Sequence, residues 1–299
     1  MRYSRTWLNL ALLLALFLAG CRLPGQQGPV SQSLAESRRL SREGEAALGR
    51  GQQQAAENLL AQAVTACPTD AEARRRYAEA LWCRGARQES IAQMEEAGRS
   101  ASEDAAPCAR LAEMYLIAGQ QQNAWQAAQR AIALDPKLPS AWAIRGGVLR
   151  AGGQPRDALS DYLRALNYAP KDRAILAEVA GLYRQLDRPS AALQTLQTLA
   201  ETYSPGEEPG QVLDQLGTAY AAVGRYDDAV ENLSAAVARG EPTADMYCHL
   251  AEAELLTGHT AEAGAAARQA LALQPQHQAS RQLLDRLLVA ERPQETLRR

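Results

Sequence analysis

The chain has 299 residues, 46% of them hydrophobic, which is enough for a sizeable buried core, and its formal net charge of −2 gives no basic footprint for nucleic acid. Nearly all the positive charge is arginine, with Lys137 and Lys171 the only lysines, which favours planar, bidentate contacts to carboxylates where contacts form. Aromatics are 5% with a single Phe17, so packing rests on Ala, Leu and Tyr, a composition that suits closely spaced helices.

Arg2 and Arg5 precede an apolar run from Trp7 to Leu18, broken only by Asn9, that ends in Leu18-Ala19-Gly20-Cys21. A charged start, about a dozen apolar residues and small residues before a cut make residues 1–20 a secretory signal. The run is too short to span a bilayer, which needs about 20 apolar residues. Its removal takes away no acid and leaves 30 basic against 34 acidic residues, or −4.

Leu18-Ala19-Gly20-Cys21 resembles the lipobox of bacterial lipoproteins. The resemblance implies cleavage before Cys21, a diacylglycerol thioether on Cys21 and acylation of the new N-terminus, commonly with palmitate. Two or more acyl chains anchor stably where one binds only marginally. Arg22 stands where an Asp favours inner-membrane retention in Gram-negative lipoproteins, which implies the outer membrane, facing the periplasm. Residues 21–35 are rich in Gly, Pro, Gln and Ser and read as a flexible tether.

Further along, Gly51, Gly85, Gly119 and Gly153 stand 34 residues apart, Asp187 continues the series, and Gly224 and Gly258 resume it after a three-residue insertion. Each marks a turn between two helices. Glycine takes positive φ there without steric cost, and Asp is among the few other residues that tolerate it. Pro155 and Pro189 fall two residues later, where a new helix accepts proline in its first turn. Around the Gly153 turn, Trp142, Leu149 and Tyr162 supply bulk, while Gly146, Ala158 and Ala165 allow close approach of the helices.

This spacing resembles the tetratricopeptide repeat. The resemblance implies an all-α, right-handed solenoid of seven repeats over residues 36–277, approximately 37–70, 71–104, 105–138, 139–172, 173–204, 210–243 and 244–277. Pro205, Gly206 and Pro209 form the loop that accounts for the insertion. Residues 278–291 carry Leu283, Leu284, Leu287 and Leu288 on one helical face and read as a helix capping the last repeat; residues 292–299 fray.

Signals for chemistry are sparse. His249, His259 and His277 lack metal-ligand spacing and read as solvated surface histidines. There is no P-loop, Gly-x-Ser-x-Gly or dinucleotide fingerprint, so neither catalysis, a cofactor, a metal nor a small-molecule substrate is expected. Cys67, Cys83, Cys108 and Cys248 sit at poorly matched places for pairing and read as free thiols. In this family the first helix of each repeat lines a concave face. Here that face includes Arg75, Glu79, Trp82, Glu113, Leu116, Arg150, Arg184, Asp214, Thr218 and Glu252. The resemblance implies a groove for a peptide or helix of a protein client, with Trp82 as apolar anchor and Arg75, Arg150 and Arg184 pairing with acidic groups. The alternative for any one of them is an ordinary solvated face. The Lys and Asn arrangement that clamps a chaperone's C-terminus is absent, which argues against a cochaperone. The resulting reading is a lipid-anchored scaffold or assembly factor, like the repeat lipoproteins that help assemble type IV pilus secretins or outer-membrane β-barrels. The alternative is an adaptor that recruits a soluble periplasmic enzyme such as a protease, a cell-wall or a polysaccharide enzyme.

Overall fold

The structure is a computed structural model that describes residues 29–100 and 103–291, with side chains over 32–100 and 103–287. The signal at 1–20, Cys21, residues 22–28 of the tether, the end of the second repeat and the tail at 292–299 lie outside the described residues. Among the described residues there are fifteen α-helices and no strand, in two compact units.

The first unit holds α1 (Pro29–Gly49), α2 (Gln53–Ala66), α3 (Ala71–Arg84) and α4 (Arg87–Ser100). The second holds α5 (Ala105–Ile117), α6 (Gln121–Leu134), α7 (Pro139–Ala151), α8 (Pro155–Tyr168), α9 (Arg173–Gln185), α10 (Pro189–Ala200), α11 (Gly210–Ala222), α12 (Tyr226–Ala238), α13 (Ala244–Thr257), α14 (Thr260–Leu273) and α15 (Gln278–Glu291). Residues 29–35 are therefore helical, which corrects their assignment to the tether. Pro29 is tolerated at a first helical position, no Gly or Pro follows until Gly44, and Ser37, Leu40, Ser41, Gly44 and Ala47 form one buried stripe at helical spacing.

The turns within the helix pairs share one geometry. Gly51, Gly85, Gly119, Gly153, Gly224 and Gly258 all have positive φ, and Asp187 (φ 57°) is the one non-glycine residue that does so among those described. The residue after each turn position donates its N–H to a carbonyl five residues back. Gln154 bonds to Leu149 at 2.9 Å and His259 to Glu254 at 2.8 Å, which satisfies orphan carbonyls at the end of the first helix. The second helices α2, α6, α8, α10, α12 and α14 start directly from these turns with no side-chain cap. First helices are instead capped from the preceding loop by Asp70 on α3, Asp104 on α5, Asp172 on α9 and Thr243 on α13.

Small residues set how near the paired helices come. A Cβ on Gly146 would meet the Tyr162 ring at 3.0 Å, one on Gly44 would meet Leu60 Cγ at 2.8 Å, and one on Gly217 would meet Leu233 Cγ at 2.5 Å. Within each unit every helix packs on the next, and α1 with α3, α5 with α7, and α11 with α13 bring first helices directly together. At the end of the second unit, Leu283 and Leu287 of α15 are buried in one cluster with Leu250, Ala251, Ala266 and Ala267, so α15 covers the apolar flank of α13 and α14.

The middle of the second unit also holds a charged core that the residue pattern does not announce. Arg145 on α7 donates from Nε and Nη2 to both carboxylate oxygens of Asp161 on α8, each at 2.7 Å, and Asp161 is only 4% exposed. The same guanidinium lies 4.7 Å above the Trp142 ring and 5.3 Å from that of Trp125, and Arg164 takes a similar place on Trp142 at 4.8 Å. The Trp142 indole N–H is satisfied by the Pro136 carbonyl at 2.8 Å. The delocalised cation of Arg145 thus enters the core because both its in-plane donors and its faces have partners.

Candidate protein-binding face

The positions assigned to the binding face fall on first helices: three on α3 in the first unit and seven on α5, α7, α9, α11 and α13 in the second. Their side chains differ in how far they are already engaged.

In the first unit, Arg75 donates from Nε and Nη2 to Glu72, one turn back on α3, at 2.9 and 2.7 Å. Bonds from Arg75 and then Arg76 push the Glu72 carboxyl down to about 2, so this pair stays ionised throughout the neutral range. Arg75 therefore already has a carboxylate partner on its own helix. Glu79 and Trp82 are half-buried on the same helix, and the Arg87 guanidinium lies 5.9 Å from the Trp82 ring.

In the second unit, Glu113 pairs with Arg110 within α5. Leu116 is half-buried where α5 meets α7, at a place where a Cβ on Gly147 would stand 3.0 Å from Leu116 Cδ2. Arg150 on α7 reaches Glu178 on α9 at 3.2 Å, so it too is engaged within the fold, across two repeats. Thr218 turns its hydroxyl back to the Gln215 carbonyl at 2.9 Å. Glu252 is exposed.

Arg184 differs from the other two arginines. It is exposed, forms no ion pair among the described residues, and stands beside Thr218 at a cavity of about 290 Å3 whose remaining walls are Asp187, Pro189, Ala192, Ala219 and Ala222. Its walls combine Pro189 and three alanines with Thr218 and with one group of each charge, Arg184 and Asp187, so it is suited to a side chain that is partly apolar and partly polar.

Asp214 is held by His249, whose Nδ1 lies 2.8 Å from Asp214 Oδ1 and so ties α11 to α13. The two residues line a larger cavity of about 730 Å3 with Arg239, Glu241 and Asp245. The bond to Asp214, aided by the field of Asp214, Glu252 and Asp245, raises the His249 pKa against the opposing effect of burial. The other two histidines also have carboxylate partners, His259 with Glu254 at 2.8 Å and His277 with Asp245 at 2.9 Å. His259 stays at the surface as read, whereas His249 and His277 are partly buried, which corrects their reading as solvated. The repeat period carried the signal for His249: residues about 34 apart are neighbours on adjacent first helices, and Asp214 and His249 are 35 apart.

Chemistry of other kinds is thinly represented. Cys67, Cys83, Cys108 and Cys248 are free thiols, and burial raises the pKa of Cys108 and Cys248, which keeps them protonated and weakly nucleophilic. No group of three or more metal-ligating side chains occurs among the described residues. No described helix is long and apolar enough to cross a membrane.

The family profile of the tetratricopeptide repeat matches residues 145–207 and 215–278, the stretches that hold the turns at Gly153, Asp187, Gly224 and Gly258. These segments match the tetratricopeptide repeat, and the fold is that of such repeats. Repeats of this kind indicate a protein-interaction scaffold rather than a catalyst. Solved structures with this architecture resemble the chain at low identity. YrrB, a tetratricopeptide repeat protein with an unusual peptide-binding site, has a TM-score of 0.58 and 20% identity over 63% of this chain and 96% of its own. A tetratricopeptide repeat protein from Parabacteroides merdae has a TM-score of 0.57 and 15% identity over 85% and 99%. PilF of Pseudomonas aeruginosa has a TM-score of 0.60 and 16% identity over 68% and 91%. No curated protein sequence matches the chain.

Proposed function

We propose that the chain is a lipid-anchored scaffold that holds a segment of a client protein against its first-helix face at a bacterial membrane. The observation that carries the reading is the Arg184 cavity, where an exposed guanidinium with no ion pair among the described residues lines a cavity walled mainly by Pro189 and alanines, at a position the repeat pattern assigns to the binding face. The peptide-binding site of YrrB, a protein of the same architecture, supports the same mode of use. The four residues ending in Cys21 support lipidation, and Arg22 supports the outer membrane, facing the periplasm. Likeness in fold to PilF, together with that address, favours a role in assembling a secretin, a pilus or a β-barrel over recruitment of a soluble enzyme.

The test is purification of the full chain from crosslinked cells, comparing wild type with Arg184→Ala, Trp82→Ala and Cys21→Ala. Loss of about tenfold in client recovery for Arg184→Ala with unchanged helical content supports the face assignment. Unchanged recovery for both Arg184→Ala and Trp82→Ala removes it. An intact mass showing an unmodified N-terminus removes the lipoprotein assignment.

A further inference from the structure

The second helices α6 and α8 carry a cationic and apolar pattern outside the first-helix face. Arg130, Leu134 and Lys137 recur 34 residues later as Arg164, Tyr168 and Lys171, and all six are exposed. Equivalent residues of adjacent repeats are neighbours, so the two triplets lie side by side at the C-terminal ends of α6 and α8. Arg130 with Leu134, and Arg164 with Tyr168, are four residues apart and share a helix face. The lysines follow in matching turns: the Leu138 N–H donates to the Asp135 carbonyl at 3.2 Å, and the Asp172 N–H to the Ala169 carbonyl at 3.1 Å. Lys137 and Lys171 are the only lysines in the chain. The pattern stops on both sides, where the equivalent residues are Glu96, Ser100 and Glu103 before it and Thr198, Thr202 and Pro205 after it.

None of the four cations forms an ion pair among the described residues. The Arg164 guanidinium rests 4.8 Å from the Trp142 ring, which steadies the side chain and leaves its charge at the surface. The acids at the two turns face the backbone: Asp135 accepts from the Lys137 N–H at 2.9 Å, and Asp172 caps α9 through the Ile175 N–H at 3.1 Å. Asp161 is engaged by Arg145, and Asp157 lies at the other end of α8, about three turns from Tyr168. Four cations against two acids leave a local surplus of positive charge on a chain whose net charge is −2. Apolar surface gathers in the same place. Leu134, Leu163 and Tyr168 are three of the seven large apolar side chains that stay exposed among the described residues. Cations interleaved with Leu and Tyr match the boundary of an anionic bilayer, where basic heads and the Tyr hydroxyl stay wet while apolar bodies enter the headgroup layer.

We propose that the C-terminal ends of α6 and α8 form a surface that seats on an anionic lipid bilayer, with Arg130, Lys137, Arg164 and Lys171 meeting headgroup phosphates and Leu134 and Tyr168 entering the interface. The surface lies on second helices and shares no residue with the Arg184 cavity. Nor does it depend on Cys21: acyl chains hold a protein to any bilayer, neutral or anionic, whereas these side chains distinguish the two. An anionic bilayer fits better than a nucleic acid or an acidic protein segment because it sets phosphate charge beside hydrocarbon over a broad surface, as each triplet sets cations beside an apolar side chain.

The test is flotation of the full chain with vesicles of phosphatidylcholine alone and with vesicles that are about one-third phosphatidylglycerol. The ratio of the two affinities is the readout, because any acyl chain on Cys21 contributes equally to both. Expected is a preference for the anionic vesicles that falls about 25-fold in Lys137→Gln with Lys171→Gln, at about fivefold for each cation near the surface. Leu134→Gln with Tyr168→Gln should weaken binding to the anionic vesicles about fivefold with helical content unchanged. Arg268→Gln with Arg286→Gln, which removes two exposed cations from α14 and α15, should change the ratio less than about twofold. Absence of any preference for the anionic vesicles would overturn the proposal. Equal losses from the Arg268 and Arg286 pair and from the lysine pair would overturn it in favour of diffuse charge. Loss with the lysine pair but none with Leu134 and Tyr168 would leave attraction without seating and overturn it too. Lysine-dependent binding of a hexaglutamate peptide, without preference for anionic vesicles, would give the surface to an acidic protein and overturn it as well. Client recovery should be unchanged in the lysine pair, and an unmodified N-terminus would remove the lipid anchor without altering the ratio, so failure of the anchor and failure of this surface are told apart.

Discussion

Replacing Gly217 with alanine adds one methyl group where the fold has no room for it. The new Cβ would lie 2.5 Å from Leu233 Cγ and 3.1 Å from the Ala229 carbonyl oxygen. Leu233 is 1% exposed on α12, and Cγ is its branch point rather than a mobile end, so either Leu233 leaves its rotamer or α11 and α12 move apart. Overpacking of this kind costs about 1–3 kcal/mol, and relief of the glycine penalty inside a helix returns about 1 kcal/mol. The net expectation is a loss of up to about 2 kcal/mol. Gly181, also inside a first helix, makes the matched control, because a Cβ there meets nothing within 4 Å and Gly181→Ala should gain about 1 kcal/mol. At about 2–4 °C per kcal/mol for a unit of this size, the two variants should shift Tm in opposite directions. Hydrogen exchange should localise the Gly217→Ala loss to α11 and α12, because each repeat contacts only its neighbours. Adding Leu233→Ala should recover part of the Gly217→Ala loss through coupling, since it leaves the small pair that Ala251 and Ala267 form in the last repeat. A rise in Tm for Gly217→Ala equal to that for Gly181→Ala would refute close helix approach as the reason for glycine at this place.

Asp161→Ala should cost about 3–5 kcal/mol in urea unfolding, because it leaves the Arg145 guanidinium in a partly buried site without its bidentate carboxylate. At Asp187, where φ is 57°, glycine should be tolerated within about 1 kcal/mol, while Asp187→Val should cost about 2 kcal/mol in the same assay. The His249–Asp214 bond raises the histidine pKa, so its stabilising effect is fully present below the ordinary imidazole value of about 6.5 and is lost as pH rises through the raised value. The Tm difference between wild type and His249→Phe should therefore be larger at acidic than at alkaline pH, and a difference independent of pH would contradict it.

The turns were legible because backbone conformation at a turn demands particular residues: six glycines and Asp187 at regular spacing have positive φ as that spacing requires. The capping role of Leu283 and Leu287 was legible from helical periodicity alone. The start of α1 was hidden by its Gln and Ser content, which resembles a tether although no helix-breaking residue interrupts it after Pro29. Engagement of Arg75 by Glu72 and of Arg150 by Glu178 was also hidden. The face of a helix follows from periodicity, but whether a charge on it is free depends on side-chain reach along the helix and across repeats.

The most direct test of a binding face formed by first helices is site-specific photo-crosslinking in cells, with the crosslinker at exposed Arg184 or Glu252 on first helices, or at exposed Leu163 or Tyr168 on the second helix α8. The account predicts adducts to one client protein from Arg184 and Glu252 and none from Leu163 and Tyr168. Adducts that arise only from Leu163 and Tyr168 would contradict it.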